Sequence, residues 1–241
     1  MLGTFVKSPD ATSAEVLAGA GLDFLIVDLD HSSLGFRDLE GIARAAALHG
    51  VPVLARLPPD AVADAGRVLD AGATGVQIAD LSSVELAESA RRHAAYPPGG
   101  ERSLALSHRA AEFGRLPASD YLRRAADELV LVGQIESAAA VDALPGLLAA
   151  GTGIDAWFLG PLDLSVSLGR AGENDDPLVV ETLDRAAAAI VAAKAPLGVF
   201  TGSIEEALRW RERGATLIAV GSDYTLLGGL AGGLARSFRG S

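Results

Sequence analysis

Eight short apolar runs recur along the chain, separated by longer segments with helical periodicity. The runs are Gly3–Lys7, Phe24–Asp28, Val53–Arg56, Gly75–Ile78, Val130–Glu136, Ala156–Leu159, Leu197–Phe200 and Leu217–Val220. Each has the length of a buried parallel strand. Most lack strict alternation, as expected when both faces are covered. Between the runs the period changes. Val179, Leu183, Ala187 and Ile190 fall on one helical face, and Asp176-Pro177 supplies a cap followed by proline in the first turn. The alanine-rich segments 84–95 and 204–213 read as helices in the same way. Gly21, Gly50, Gly72 and Gly214 stand just before strands, where a left-handed residue ends a helix. Gly21-Leu-Asp-Phe is echoed by Gly153-Ile-Asp-Ala, so one helix-to-strand connection is used twice.

Eight β/α units in 241 residues predict a (β/α)8 TIM barrel, an α/β fold occupying 1–241 as a single domain. A doubly wound open sheet is the competing fold, but no glycine-rich dinucleotide fingerprint follows the first run. Residues 97–128 form the longest interval between runs and predict a loop plus an extra helix.

Composition narrows the function classes. Apolar residues make up 49% and charged residues 21%, a balance that excludes a disordered chain. The net charge of −11 argues against a nucleic-acid partner, which would call for a basic face. With no cysteine, disulfides, zinc–thiolate sites, iron–sulfur clusters and cysteine nucleophiles are excluded. No apolar run approaches the roughly 20 residues that cross a bilayer, and MLGTFVKSPD lacks the basic and apolar regions of a signal peptide. A cytoplasmic protein with no membrane partner is the expectation.

In a barrel, chemistry sits at the C-terminal ends of the strands. Polar residues gather there: Asp28, Asp30 and His31 after the second run, Arg56 at the end of the third, Gln134 and Glu136 at the end of the fifth. The sixth run leads into Gly160-Pro-Leu-Asp163-Leu-Ser. Two carboxylates, Glu136 and Asp163, with no histidine or cysteine partner suit a hard oxygen-loving ion such as Mg2+ or Mn2+. The competing reading makes them rim carboxylates in salt bridges. Arg56 can grip a substrate carboxylate through two parallel hydrogen bonds, or pair with an acid such as Asp28 or Asp70. His31 is the only histidine directly after a run. It is a candidate general base or a hydrogen-bonded loop histidine. His49 and His93 read as surface residues of helices, and His108 falls in the long loop.

Asp28-Leu-Asp-His31, Ala55-Arg56-Leu-Pro58, Leu69-Asp70-Ala-Gly-Ala73, Tyr96-Pro-Pro-Gly-Gly-Glu-Arg102, Gln134-Ile-Glu136, Gly160-Pro-Leu-Asp-Leu-Ser165 and Gly221-Ser-Asp223 occur in this order. Together they resemble the HpcH/HpaI aldolase family, the class II pyruvate aldolases typified by 4-hydroxy-2-oxo-heptane-1,7-dioate aldolase, over nearly the whole chain. The resemblance implies a lyase that cleaves a 4-hydroxy-2-keto acid to pyruvate, or a related 2-keto acid, and an aldehyde through a metal-bound enolate. It implies Glu136 and Asp163 as ligands of a divalent metal (Mg2+, Mn2+ or Co2+), with no organic cofactor. It places Arg56 beside the keto oxygen and the backbone amides of Leu162 and Asp163 on the carboxylate. His31, supported by Asp70, is then the base, with Gln134 and Asp28 in or behind the pocket. It also implies a homo-oligomer, a hexamer built as a trimer of dimers with the last helix exchanged between neighbours; the apolar, glycine-rich segment 224–234 is compatible with that packing. Departures from the family pattern are Asp30 for glutamate, Ala79-Asp80-Leu81 for a Pro-Met-Val-like segment, Phe5 for tryptophan and Ala126 for asparagine.

Three alternatives remain at this stage. A class I aldolase needs a lysine Schiff base; only Lys7 and Lys194 exist, and only Lys7 ends a strand at the right face. A citrate-lyase-like enzyme acting on acyl-CoA thioesters shares the arginine and the two carboxylates. A non-catalytic barrel would bind a keto acid and metal without turnover.

Overall fold

The eight apolar runs form eight parallel strands that hydrogen-bond in sequence order and close on themselves. They are β1 (Leu2–Val6), β2 (Phe24–Asp28), β3 (Val53–Leu57), β4 (Gly75–Ile78), β5 (Val130–Ile135), β6 (Ala156–Leu159), β7 (Leu197–Thr201) and β8 (Ala215–Ser222). The computed structural model describes residues 1–240 as one (β/α)8 barrel. Lys7 and Glu136, expected as the last residues of their strands, lie one residue beyond the ladder. The eighth strand is longer than predicted, because Ala215 pairs with Leu197 of β7 at its start and Ser222 with Phe5 of β1 at its end.

Helices return the chain to the start of each next strand. They are α1 (Ala11–Gly19), α2 (Phe36–Ala47), α3 (Ala65–Asp70), α4 (Val84–Ala94), α5 (Ala118–Glu128), α6 (Ala138–Ala149), α7 (Pro161–Ser167), α8 (Pro177–Ala192), α9 (Ile204–Glu212) and α10 (Asp223–Arg239). The predicted cap of α8 is present: the Asp176 carboxylate accepts from the Leu178 amide at 2.8 Å. Gly21, Gly72 and Gly214 have φ of 95°, 107° and 95°, the left-handed conformation that their place after a helix requires. The two echoed connections also behave alike. Asp23 accepts from the Leu2 amide at 2.6 Å and Asp155 from the Leu131 amide at 2.8 Å, each tying the entry of one strand to the start of its neighbour. The interval 97–128 holds a short 3-10 segment at Arg109–Gly114 and the extra helix, α5.

Side chains in a strand alternate between faces. One set points outward and packs under the helices: Leu25 and Val27, Ala55 and Leu57, Val76 and Ile78, Leu131 and Ile135. The other set fills the barrel: Phe5, Phe24, Ile26, Leu54, Val132, Ala156, Phe158 and Ala219. Following the inward phase toward the C-terminal ends leads from this apolar plug to a polar layer. Ile26 is succeeded by Asp28, Leu54 by Arg56, Val132 by Gln134 and then Glu136, Phe158 by Gly160, and Phe5 by Lys7. The plug is the floor of a site, and the polar layer is its working surface. No helix among the described residues is long and apolar enough to cross a membrane.

Candidate active site

Asp28 and Arg56 are register partners on β2 and β3. Arg56 Nε donates to Asp28 Oδ1 at 3.0 Å and Nη2 donates to Oδ2 at 3.2 Å. Asp28 is fully buried and Arg56 nearly so. The aspartate is enclosed by further donors. Lys7 Nζ lies 2.8 Å from Oδ2, and the amides of Asp30 and His31 donate to Oδ1 at 3.1 and 3.0 Å. Burial alone would raise its pKa. Arg56, Lys7 and the His31 amide outweigh burial and hold the carboxyl below the usual aspartate range. The pairing of Arg56 with Asp28, one of the two readings open from the sequence, is therefore real. It also aims the guanidinium, which still lines the cavity.

Glu136 sits on the inward phase just past β5. Its Oε1 accepts from the Asp80 amide at 3.0 Å. Its Oε2 accepts from Gln134 Nε2, and Gln134 Oε1 in turn accepts from Gln77 Nε2 at 2.5 Å. Burial raises the Glu136 pKa to about 7; Arg56 opposes that rise and the negative charge of Asp163 adds to it. Asp163 is exposed, in the first turn of α7. Gly160 permits this approach of β6 to β5: a Cβ there would lie 2.8 Å from Glu136 Cβ and 2.9 Å from Oε2. Any side chain at position 160 would displace the glutamate.

Asp28, Arg56, Gln134 and Asp163 line one open cavity of about 270 Å3 at the C-terminal end of the barrel, with Phe5, Lys7, His31, Leu162, Phe200 and Thr225 among its walls. Phe5 and Phe200 meet edge to face, with ring centroids 5.7 Å apart, and form an apolar side. Larger cavities exist. One of about 480 Å3 is lined by Arg102, Arg109 and Tyr121 near the starts of the strands, away from this polar layer. Of the sequence candidates, Asp28, His31, Arg56, Gln134, Leu162 and Asp163 converge on the 270 Å3 cavity, and Glu136 lies directly behind it through Gln134 and Gly160.

Asp70 does not join them. It is the last residue of α3, which has carried the chain back to the N-terminal end of the barrel, whereas His31 follows β2 at the other end. Asp70 Oδ1 accepts from Arg102 Nη2 at 2.5 Å and lies 3.2 Å from His108 Nε2. The expectation that Asp70 supports His31 is corrected within this chain: the carboxylate beside His31 Nε2 is Asp30, at 3.5 Å. His108, ambiguous in sequence, belongs to the Asp70 cluster. His93 bonds the Ser89 carbonyl within α4, and His49 is exposed in the turn after α2 rather than in the helix.

Sequence reasoning passed over three contributors. Gln77 is a lone amide inside the apolar β4, a signal in itself. Lys7, in sequence a candidate only as a nucleophile, shares the phase of Phe5 and points into the barrel. Asp80 stands in the sequence only within a segment that departs from the family pattern, and its contacts come from the structure.

The donor set fits a hard divalent cation. Glu136 and Asp163 offer carboxylate oxygens whose negative charges repel one another across the site, and no group of three or more histidine, cysteine, aspartate or glutamate side chains is gathered for a metal among the described residues. Two protein ligands leave coordination positions for water and substrate.

Comparison with known proteins agrees with this geometry. Residues 1–228 match the family model of HpcH/HpaI aldolase/citrate lyase. The hydroxypyruvate/pyruvate aldolase of Roseovarius nubinhibens is 36% identical over 229 residues, 94% of this chain and 88% of that protein. The 4-hydroxy-2-oxo-heptane-1,7-dioate aldolase of Shigella sonnei is 33% identical over 239 residues, 98% of this chain and 90% of that protein. Among solved structures, the HpcH/HpaI aldolase from Desulfitobacterium hafniense superposes with a TM-score of 0.91 at 31% identity, covering 99% of this chain and 92% of that one.

Proposed function

Since this chain belongs to the HpcH/HpaI aldolase/citrate lyase family, we propose that it is a divalent-metal-dependent aldolase cleaving a 4-hydroxy-2-keto acid to a 2-keto acid and an aldehyde. One observation carries the reading: Arg56, itself fixed by Asp28, faces the same small cavity as Asp163, with Glu136 immediately behind. Glu136 and Asp163 would hold the cation. When bound, a divalent cation withdraws electron density from a chelating keto acid and lowers the energy of the enolate that cleavage leaves behind.

The side chains supply the rest. Arg56 presents a guanidinium to the keto oxygen, where negative charge builds as the C3–C4 bond breaks. A donor placed in advance on that oxygen stabilises the developing charge more than the neutral ketone. The amides of Leu162 and Asp163, in the first turn of α7, have no partner within that helix and are available to the substrate carboxylate. His31, at the mouth with an exposed ring, accepts the proton of the C4 hydroxyl as the aldehyde departs. The bonding electrons of C3–C4 become the enolate, and the proton held by His31 is returned to C3, which completes the keto acid and resets the base. Phe5 and Phe200 give the cavity one apolar wall for the substrate to pack against. Gln134 and Gln77 hold Glu136 from below.

Release of a 2-keto acid from a panel of 4-hydroxy-2-keto acids, assayed with Mg2+, Mn2+ and Co2+ in turn, tests the reading. Cleavage of at least one member is expected; none with any of the three metals would refute it. The same reading places the enzyme in the cytoplasm. It also makes α10 the contact between copies. Leu227, Leu230 and Phe238 leave that helix with an exposed apolar face, with Phe238 94% exposed. A hexamer in sedimentation that falls apart on Leu230→Asp is expected; a monomeric parent chain would contradict it.

A further inference from the structure

Residue 80 breaks the line of the barrel at the end of β4. On one side the Ala79 amide donates to the Leu57 carbonyl at 2.9 Å, and on the other the Leu81 amide donates to the Gln134 carbonyl at 2.8 Å. Between them Asp80 adopts a left-handed backbone, with φ of 41°. That conformation costs an ordinary L residue about 1–2 kcal/mol and is tolerated best by glycine, asparagine and aspartate. Here it turns the Asp80 amide onto Glu136 Oε1, at 3.0 Å.

The side chain of Asp80 explains why the turn persists. Its Oδ1 accepts from Ser137 Oγ at 2.6 Å. Ser137 follows Glu136 directly and caps α6, accepting from the Ala140 amide at 3.1 Å. Asp80 therefore meets two consecutive residues, one through its amide and one through its carboxylate. With Gln134 on the other oxygen, both oxygens of Glu136 have fixed donors and the carboxylate cannot rotate freely.

We propose that Asp80 is a positioning residue that, latched to Ser137, turns its own amide onto Glu136 and fixes that carboxylate for a divalent cation. The inference rests on the reading of Glu136 as a metal ligand. It deepens that reading by assigning the orientation of the ligand to a residue that touches neither cation nor substrate.

The test is Mn2+ binding to the chelator-stripped full chain, followed by the electron paramagnetic resonance signal of free Mn2+. Asp80→Ala loses both the acceptor for Ser137 and the tolerance for a left-handed backbone. It is expected to weaken Mn2+ binding by about 10-fold, the lower end of what removing a supporting group costs a metal site. Asp80→Asn keeps the tolerance and an acceptor oxygen, and should stay within about 3-fold of the parent. Ser137→Ala leaves residue 80 untouched and should weaken binding as Asp80→Ala does. The double variant should then be no weaker than either alone, because both act through one contact. Parent-like binding by Asp80→Ala or Ser137→Ala would overturn the proposal. So would Asp80→Asn binding as poorly as Asp80→Ala, since charge rather than the latch would then matter. Glu136→Ala separates the two ideas: if it binds Mn2+ as tightly as the parent, the ligand assignment fails rather than the latch.

Discussion

Arg56 grips Asp28 through two hydrogen bonds of 3.0 and 3.2 Å between adjacent strands, and neither residue has room to move. The arginine is therefore an oriented donor rather than a mobile charge. Asp28→Asn keeps the shape but removes the charge opposing Arg56 and Lys7. Breaking a buried pair from one side is expected to cost about 3 kcal/mol of folding free energy. With the guanidinium no longer aimed, kcat/KM should fall by about 100-fold. Chemical denaturation and steady-state kinetics on the same preparation check both. A variant with parent-like kcat/KM would show that the pairing does not serve catalysis.

The identity of the cation matters as much as its charge. Arg56→Ala should abolish most aldol activity while the protein still folds. Arg56→Lys should recover little, since an ammonium cannot hold Asp28 through two bonds and also face a keto oxygen. The expected losses are on the order of 100-fold or more in kcat for both. Far-ultraviolet circular dichroism confirms the fold, and a lysine variant at parent rate would refute the geometric argument.

Glu136 gives the metal-free protein a pH signature. Its pKa is raised by burial from 4.5 to about 7, so the folded state binds a proton that the unfolded state has released. Its contribution to stability is present in full below about pH 4.5 and is lost as pH rises through 7, by at most about 3 kcal/mol. Asp28 has the opposite sign: its pKa is depressed, so its contribution is present at neutral pH and disappears only in acid. A cation competes with the Glu136 proton, so Mn2+ affinity should climb between about pH 6 and 7 and then flatten. Affinity independent of pH across that window would contradict the assignment.

Lys7 is an ion-paired ammonium, 2.8 Å from Asp28 Oδ2 and donating to the His31 carbonyl at 3.1 Å. In that arrangement its nitrogen is engaged by Asp28 and the His31 carbonyl rather than free to attack a ketone. Borohydride added with pyruvate should leave activity intact. Lys7→Met should retain turnover within about 10-fold, as expected for a partner that shares Asp28 with Arg56 rather than a nucleophile. A covalent adduct on Lys7 would restore the Schiff-base alternative.

The barrel was legible because a buried parallel strand is short, apolar and bounded, and because the glycines that end helices mark where strands begin. Even the polar layer follows from phase: Ile26 to Asp28, Leu54 to Arg56, and Val132 to Gln134 and Glu136 are steps of two along an inward face. A motif can hide the end of the barrel at which a residue lies even where chain order, with Gly72 ending a helix before a strand, gives it. Asp70 lies in a motif beside the others yet ends α3 at the far side, bound to Arg102 and His108. Asp80 was illegible for another reason. Its role comes from a single backbone dihedral and a serine on the neighbouring connection, and neither leaves a pattern in the chain.

Exchange of the pyruvate methyl protons for deuterium, followed by proton nuclear magnetic resonance in D2O, reports enolate formation without needing the right aldehyde. The enzyme stripped with chelator should show no exchange above the buffer rate. Adding back Mg2+, Mn2+ or Co2+ should restore it, and Arg56→Ala should suppress it again. Exchange at full rate in chelator, or none with any of the three ions, would contradict an enolate stabilised jointly by a divalent cation and Arg56.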